Sequence, residues 1–161
     1  AAWWFRHQCG RLLRRLDDGR WETWLAVSPD REGLLSRIWP AHLPRWAQGR
    51  GDLGARMGRV MRDAPPGPVV IVGADIPEIR EADIEAAFRA LGNHDAVVGP
   101  APDGGFWLIG MARRRRIPAT LFDGVRWSSS TALEDTLASL PGMRIARLRE
   151  LNDVDDANDL G

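Results

Sequence analysis

Three short segments hold the residues best suited to chemistry. In Val69-Val-Ile-Val-Gly-Ala-Asp-Ile-Pro77, Asp75 lies two residues beyond Gly73, at the carboxyl end of an apolar run. A carboxylate there can hold a hard cation, and Gly73 lets a ligand approach the backbone. The other reading is that Asp75 caps the turn or helix that follows. In Gly99-Pro-Ala-Pro-Asp-Gly-Gly-Phe-Trp-Leu-Ile-Gly110, Asp103 precedes Gly104 and Gly105. Two glycines permit positive φ and leave N–H groups open to a sugar or phosphate. The competing reading is a hairpin turn, which Asp-Gly favours. In Leu151-Asn-Asp-Val-Asp-Asp-Ala-Asn-Asp159, an extended backbone points Asp153 and Asp155 to one side. Such a pair suits Mg²⁺ or Mn²⁺; a helix N-terminus is equally consistent, since acidic residues favour a first turn.

Other residues carry weaker signals. His94 stands alone at a helix-to-strand turn, and His7 and His42 have no second ligand nearby in sequence. Arg113 to Arg116 could meet a phosphate, but a charge run is more often a solvated loop. Trp127-Ser128-Ser129-Ser130 precedes a helical pattern, and its hydroxyls suit capping or contact with an anion.

Composition removes several classes. All 22 basic residues are arginine, and no lysine is present. Schiff-base chemistry and a Walker-type lysine are excluded. The basic residues are balanced by 22 acidic ones, which argues against a general nucleic-acid binder. One cysteine, Cys9, forms no intrachain disulfide and no cysteine-based zinc site. No Gly-x-Gly-x-x-Gly, Gly-x-x-x-x-Gly-Lys or Gly-x-Ser-x-Gly motif occurs. No apolar run is long enough to span a membrane. The expected compartment is the cytoplasm.

The elements that must position these residues follow from periodicity. The chain has 161 residues and is 44% apolar before its 17 glycines are counted, as one globular domain over 1–161 requires. Phe5, Cys9, Leu12 and Leu16 share one face of a helix over 3–16. Strands are expected near 22–28 and 43–47, with a short helix over 31–39 between them. Asp52 caps a helix with Leu53, Met57, Val60 and Met61 on one face. Val69 to Val72 reads as a parallel strand buried on both faces. Ile84, Ala87, Phe88 and Leu91 mark a helix stopped by Gly92. Strands follow at 96–98, 106–111 and 143–148, with a helix bearing Leu133, Leu137 and Leu140. Thr131 and Glu134 suit a capping box at its start. Alternating strands and helices predict an α/β fold with a mostly parallel sheet, whose carboxyl edge is the usual place for a ligand.

In order, five strings carry a resemblance: Gly51-Asp-Leu-Gly-Ala-Arg-Met57, Val72-Gly-Ala-Asp-Ile-Pro77, Pro102-Asp-Gly-Gly-Phe-Trp-Leu-Ile-Gly110, Phe122-Asp-Gly-Val-Arg-Trp-Ser128 and Asp153-Val-Asp-Asp-Ala-Asn-Asp-Leu160. Together they resemble the bacterial glycosyltransferase-A-like family of unknown function, some of whose members are called selenodomain-associated transferases. The likeness runs from about Trp21 to Leu160. It implies a nucleotide-diphospho-sugar transferase fold and a nucleotide-sugar or nucleotide donor. It also implies Mg²⁺ or Mn²⁺ near Asp75, with Gly73 on the nucleotide side and Asp153 or Asp155 as further ligands. Asp103, Gly104 and Gly105 would line the sugar or acceptor side, with Trp127 and Ser128 as further substrate contacts.

The family more often has Ser or Thr where this chain has Ala74, and Cys where it has Ile76. It also opens with a strand and a Pro-x-Pro-Gly-x-x-Lys-Thr-Arg-Leu loop, whereas this sequence begins in the helix after them. The resemblance therefore implies a slot beside residues 69–73, closed by a partner chain, as in a homodimer, or by another route. The expected function is glycosyl or nucleotidyl transfer. The alternative is a non-catalytic domain of the same fold that binds a partner.

Overall fold

The computed structural model describes residues 2–152, with side chains from residue 6 onward. Asp153 and Asp155 lie outside the described residues. The chain runs α1 (Ala2–Leu16), β1 (Leu25–Val27), α2 (Asp30–Leu35), β2 (Arg45–Ala47), α3 (Leu53–Asp63), β3 (Val69–Val72), α4 (Glu81–Ala90), β4 (Ala96–Pro100), β5 (Phe106–Met111), α5 (Ala132–Ala138) and β6 (Ile145–Arg147).

Four strands form the larger sheet in the order β3-β5-β4-β6, while β1 and β2 pair separately and in parallel. The α/β class is as expected. The strand directions are not mostly parallel: β5 runs antiparallel to both β3 and β4, and only β4 and β6 are parallel. Residues 101–105 alone connect β4 to β5, too short a link for a parallel crossover. So β5 folds back as a hairpin partner and occupies the place beside β3. The run at Val69 to Val72 is consequently an edge strand of this sheet, antiparallel to its neighbour, and its four residues are only half-buried.

Register follows from a few bonds. The Gly73 N–H donates to the Trp107 carbonyl at 3.1 Å, and the Ala112 N–H to the Asp95 carbonyl at 3.0 Å. Because antiparallel pairs alternate, Val69 and Ile71 exchange bonds with β5, and the backbone groups of Val70 and Val72 face outward.

Apolar side chains cover both faces of the sheet. On one, Val97, Trp107 and Leu108 meet Leu12 and Leu16 of α1 and Ile84, Ala87 and Leu91 from α4 and its end. On the other, Val98, Ile109 and Met111 meet Met57 and Met61 of α3 and Leu133 near the start of α5. Adjacent residues Trp107 and Leu108 reach the same face because the register shifts at Gly99/Pro100, as a bulge does. Gly99 is required there, since a Cβ would lie 2.4 Å from the Trp107 indole.

Local signals behave unevenly. Asp52 caps α3 as expected, accepting from the Ala55 N–H at 2.8 Å. The buried face of α3 is Gly54, Met57, Gly58 and Met61, while Leu53 is half exposed. The expected capping box at α5 does not form; the Thr131 hydroxyl instead donates to Asp135.

Gly110, in the middle of β5, is closely packed from both neighbouring strands. A Cβ there would stand 2.9 Å from Val97 Cγ1 and 3.0 Å from Val70 Cγ2. Gly110→Ala is expected to destabilise by about 1–3 kcal/mol through overpacking. An unchanged midpoint in urea unfolding would show that the sheet has slack at this point.

Candidate functional site

One edge of the larger sheet gathers the sequence-predicted residues. The carboxyl ends of β3, β4 and β6 and the start of β5 meet there. Gly73 and Asp75 follow β3, Asp103, Gly104 and Gly105 join β4 to β5, and Leu151 follows β6. The Leu151 N–H donates to the Pro100 carbonyl at 3.2 Å, which holds Leu151 at this edge.

Asp75 is exposed, and its carboxylate has no hydrogen bond or ion pair with the described residues. It is not the cap of a turn or helix. One carboxylate oxygen lies over Gly73, 2.7 Å from where a Cβ would stand. Buried Cys9 lies alongside, its Sγ 3.5 Å from the Ala74 carbonyl. Burial first, then the Asp75 charge, push the Cys9 thiol pKa up. Sequence separation hid this neighbour, because Cys9 reads only as one apolar position on α1.

The hairpin reading of the Asp103 loop is the one the structure shows. The Gly104 N–H donates to the Ala101 carbonyl at 3.1 Å, and the Gly105 N–H to Asp103 Oδ1 at 2.9 Å. The two N–H groups expected to stay open are therefore taken. Gly104 has φ +88°, and a Cβ would clash with the Ser130 carbonyl. This close approach ties the loop to the segment before α5, which carries Trp127 and Ser128. The Trp127 ring packs edge-on against Phe106 at 6.1 Å and is tilted against Phe122 at 5.7 Å. Its indole Nε1 is buried with no hydrogen-bond partner. Ser128 is exposed at φ +58°.

Two ion pairs brace this edge, and neither is visible as a motif. Arg126 grips Asp135 through Nε and Nη2, each at 3.0 Å, and its backbone N–H donates to the same carboxylate. These bonds hold Asp135 down to about 2. Arg149 grips Asp83 at 2.6 and 2.8 Å, while the Arg149 carbonyl accepts from Trp107 Nε1. Burial alone would raise the Asp83 pKa; the Arg149 and Arg80 hydrogen bonds outweigh it and lower it.

Arg113 to Arg115 are structural. Arg113 binds the Ala64, Pro65 and Gly67 carbonyls, Arg114 those of Leu91 and His94, and Arg115 pairs with Asp95. His94 hydrogen-bonds the Ala90 carbonyl at the end of α4. No group of three or more His, Cys, Asp or Glu forms a metal cluster among the described residues. None of their helices is long and apolar enough to cross a membrane.

A mixed sheet between two helical layers, with its loops gathered at the carboxyl edge, is a nucleotide-diphospho-sugar transferase-like fold. It is similar, with TM-score 0.80 and 29% identity, to a crystal structure from Desulfovibrio desulfuricans G20 described as a candidate nucleotide-diphospho-sugar transferase. The match covers 96% of this chain and 70% of that one. Residues 12–129 match the family described as "Uncharacterized protein conserved in bacteria (DUF2064)", and the chain belongs to that family. No curated protein matches the chain.

The Arg126–Asp135 clamp gives a pH expectation. The folded pKa of Asp135 lies below the ordinary carboxylate value of about 3.9. The clamp is therefore fully present above about pH 4 and is lost as pH falls toward 2. The Trp127 indole NMR signal should stay fixed from pH 7 to about 4, then shift below that in the native protein but not in Asp135→Asn. A shift centred near neutral pH would refute this coupling.

Proposed function

We propose that the protein is a transferase that uses a nucleotide-diphospho-sugar or nucleoside triphosphate donor together with Mg²⁺ or Mn²⁺. One observation carries the reading: Asp75 offers an unpaired, exposed carboxylate beside Gly73 at the carboxyl edge of the sheet.

The residues fit such a metal. Mg²⁺ commonly binds one or two carboxylates plus substrate phosphates and keeps several waters. A single protein carboxylate is therefore enough to begin a site, and Asp75 would hold the metal, joined by Asp153 or Asp155. When bound, the metal supplies Lewis-acid neutralisation of charge on the diphosphate leaving group.

The chain's own groups supply position. Gly73 leaves room for the donor phosphates beside the backbone. Asp103 spends one oxygen on the Gly105 N–H; its other oxygen is suited to accept from sugar hydroxyls. The Gly105 N–H fixes that carboxylate and Gly104 closes the turn onto the Ala101 carbonyl, so both glycines serve the sugar side through Asp103. Trp127, held edge-on to Phe106 and tilted against Phe122, offers an apolar surface for a sugar ring, with the Ser128 hydroxyl beside it.

Titration of UDP, GDP, CDP and their sugars, with and without Mn²⁺, tests this by tryptophan fluorescence and calorimetry. One nucleotide is expected to bind saturably and only with metal. Asp75→Asn should weaken that binding about tenfold or more, the loss of roughly 1.4 kcal/mol, with an unchanged thermal midpoint. Metal-independent binding, or binding unaffected by Asp75→Asn, would remove Asp75 from the site. No binding of any nucleotide would favour the non-catalytic reading.

A further inference from the structure

Asp75 carries the proposed site, yet its own side chain has no hydrogen bond or ion pair among the described residues. Its place is therefore set by the chain around it. From Ala74 to Ile79, every carbonyl except that of Asp75 accepts a hydrogen bond from a described residue. The Ala74 carbonyl takes the Cys9 thiol at 3.5 Å, and that of Ile76 takes the Ile79 N–H at 3.4 Å. The Pro77 and Ile79 carbonyls share Arg15 Nη1, at 2.7 and 2.9 Å, and that of Glu78 takes Arg149 Nη2 at 3.3 Å.

Most of these ties come from α1. Cys9 and Arg15 are separated by about 9 Å of helix rise, so α1 grips the segment on both sides of Asp75. Leu12 and Leu16 lie in the same core as Ile76 and Ile79, which keeps α1 against that segment. Arg15 is the stronger tie, since a charged donor bonds more strongly than a thiol. It is half-buried and makes both bonds from one nitrogen. A carboxylate already held in place binds a metal better than one that must be ordered on binding.

We propose that Arg15 is a positioning residue for Asp75: by holding the Pro77 and Ile79 carbonyls it fixes the segment that aims the Asp75 carboxylate, and so sets the affinity for the metal. The Cys9 thiol is the weaker, second tie. The inference rests on the reading of Asp75 as a metal ligand, and it needs no contact between Arg15 and the metal or donor.

Two NMR measurements on the full chain test it, one without metal and one with Mn²⁺ alone. In metal-free protein, Arg15→Met should shift the Asp75 and Ile76 amide signals and speed hydrogen exchange at Ile79, while the amides of β4 and β5 keep their protection. With Mn²⁺, Arg15→Met should need about tenfold more metal to broaden the Gly73 and Asp75 signals by half, a coupling of the size seen between residues of one network. Arg15→Lys still offers a cation with enough donors for both carbonyls and should recover most of both effects. Cys9→Ala, which leaves Arg15 in place, should show the same changes to a smaller extent. In an Asp75→Asn background, Arg15→Met should alter the Mn²⁺ response no further. A lower thermal midpoint in Arg15→Met, with the Asp75 signal and the Mn²⁺ response unchanged, would reduce Arg15 to a structural role and overturn the proposal. So would an Arg15→Lys protein that behaves as Arg15→Met does. Metal-free changes as expected, but no Mn²⁺ response in the wild type with or without UDP, GDP or CDP, would instead overturn the metal reading of Asp75 and leave the tether standing.

Discussion

The antiparallel strand β5 is the constraint on which the rest of the molecule depends. It runs antiparallel to both its neighbours, holding β3 on one edge and β4 on the other. Its short link to β4 fixes its direction, and the bulge at Gly99/Pro100 then places Trp107 beside Leu108 on one face. Trp107 in turn donates to the Arg149 carbonyl, and Arg149 clamps Asp83 of α4. A single reversal of chain direction thus sets the sheet order, one core and the path of the chain after β6.

Arginine does much of the work that holds the loops in place. Arg45 donates to the Gly33, Leu34, Ser36 and Trp39 carbonyls and so fixes the turn after α2. Arg15 binds the Pro77 and Ile79 carbonyls, which ties α1 to the segment after Asp75. A planar guanidinium with several fixed donors can satisfy multiple carbonyls at once, whereas an ammonium is a point charge. The arginine-only composition therefore shows up first as loop architecture. Many of these side chains are already committed to the protein itself and are not free for a phosphate.

The elements legible in the sequence were those with strong local chemistry. Asp52 caps α3, the 106–111 strand has its expected bounds, α4 shows its apolar stripe, and α1 shows Cys9, Leu12 and Leu16 of its own, the Phe5 side chain lying outside the described residues. Strand direction was not legible, because an apolar β-branched run looks the same in a parallel and an antiparallel neighbour. Half of the buried face of α3 was legible, in Met57 and Met61; Gly54 and Gly58 were not, because glycine contributes no hydropathy. At the candidate site, Asp75 and the Asp103 loop were legible as chain ends of strands. The contact of Cys9 with Ala74 and the Arg126 and Arg149 clamps were not, since each joins residues that only the tertiary fold brings together.

Asp75 is central to the functional account because it combines exposure, an unpaired charge and a glycine beside it. Mn²⁺ offers a direct test, since it broadens NMR signals of nearby nuclei. With Mn²⁺ and a nucleoside diphosphate added to the native protein, the account predicts selective broadening of Gly73, Asp75 and Ile76, extending to Gly105 and Phe106. Broadening centred elsewhere, for example on the hollow of ≈ 690 Å³ lined by Leu34, Leu35 and Arg45, would contradict it.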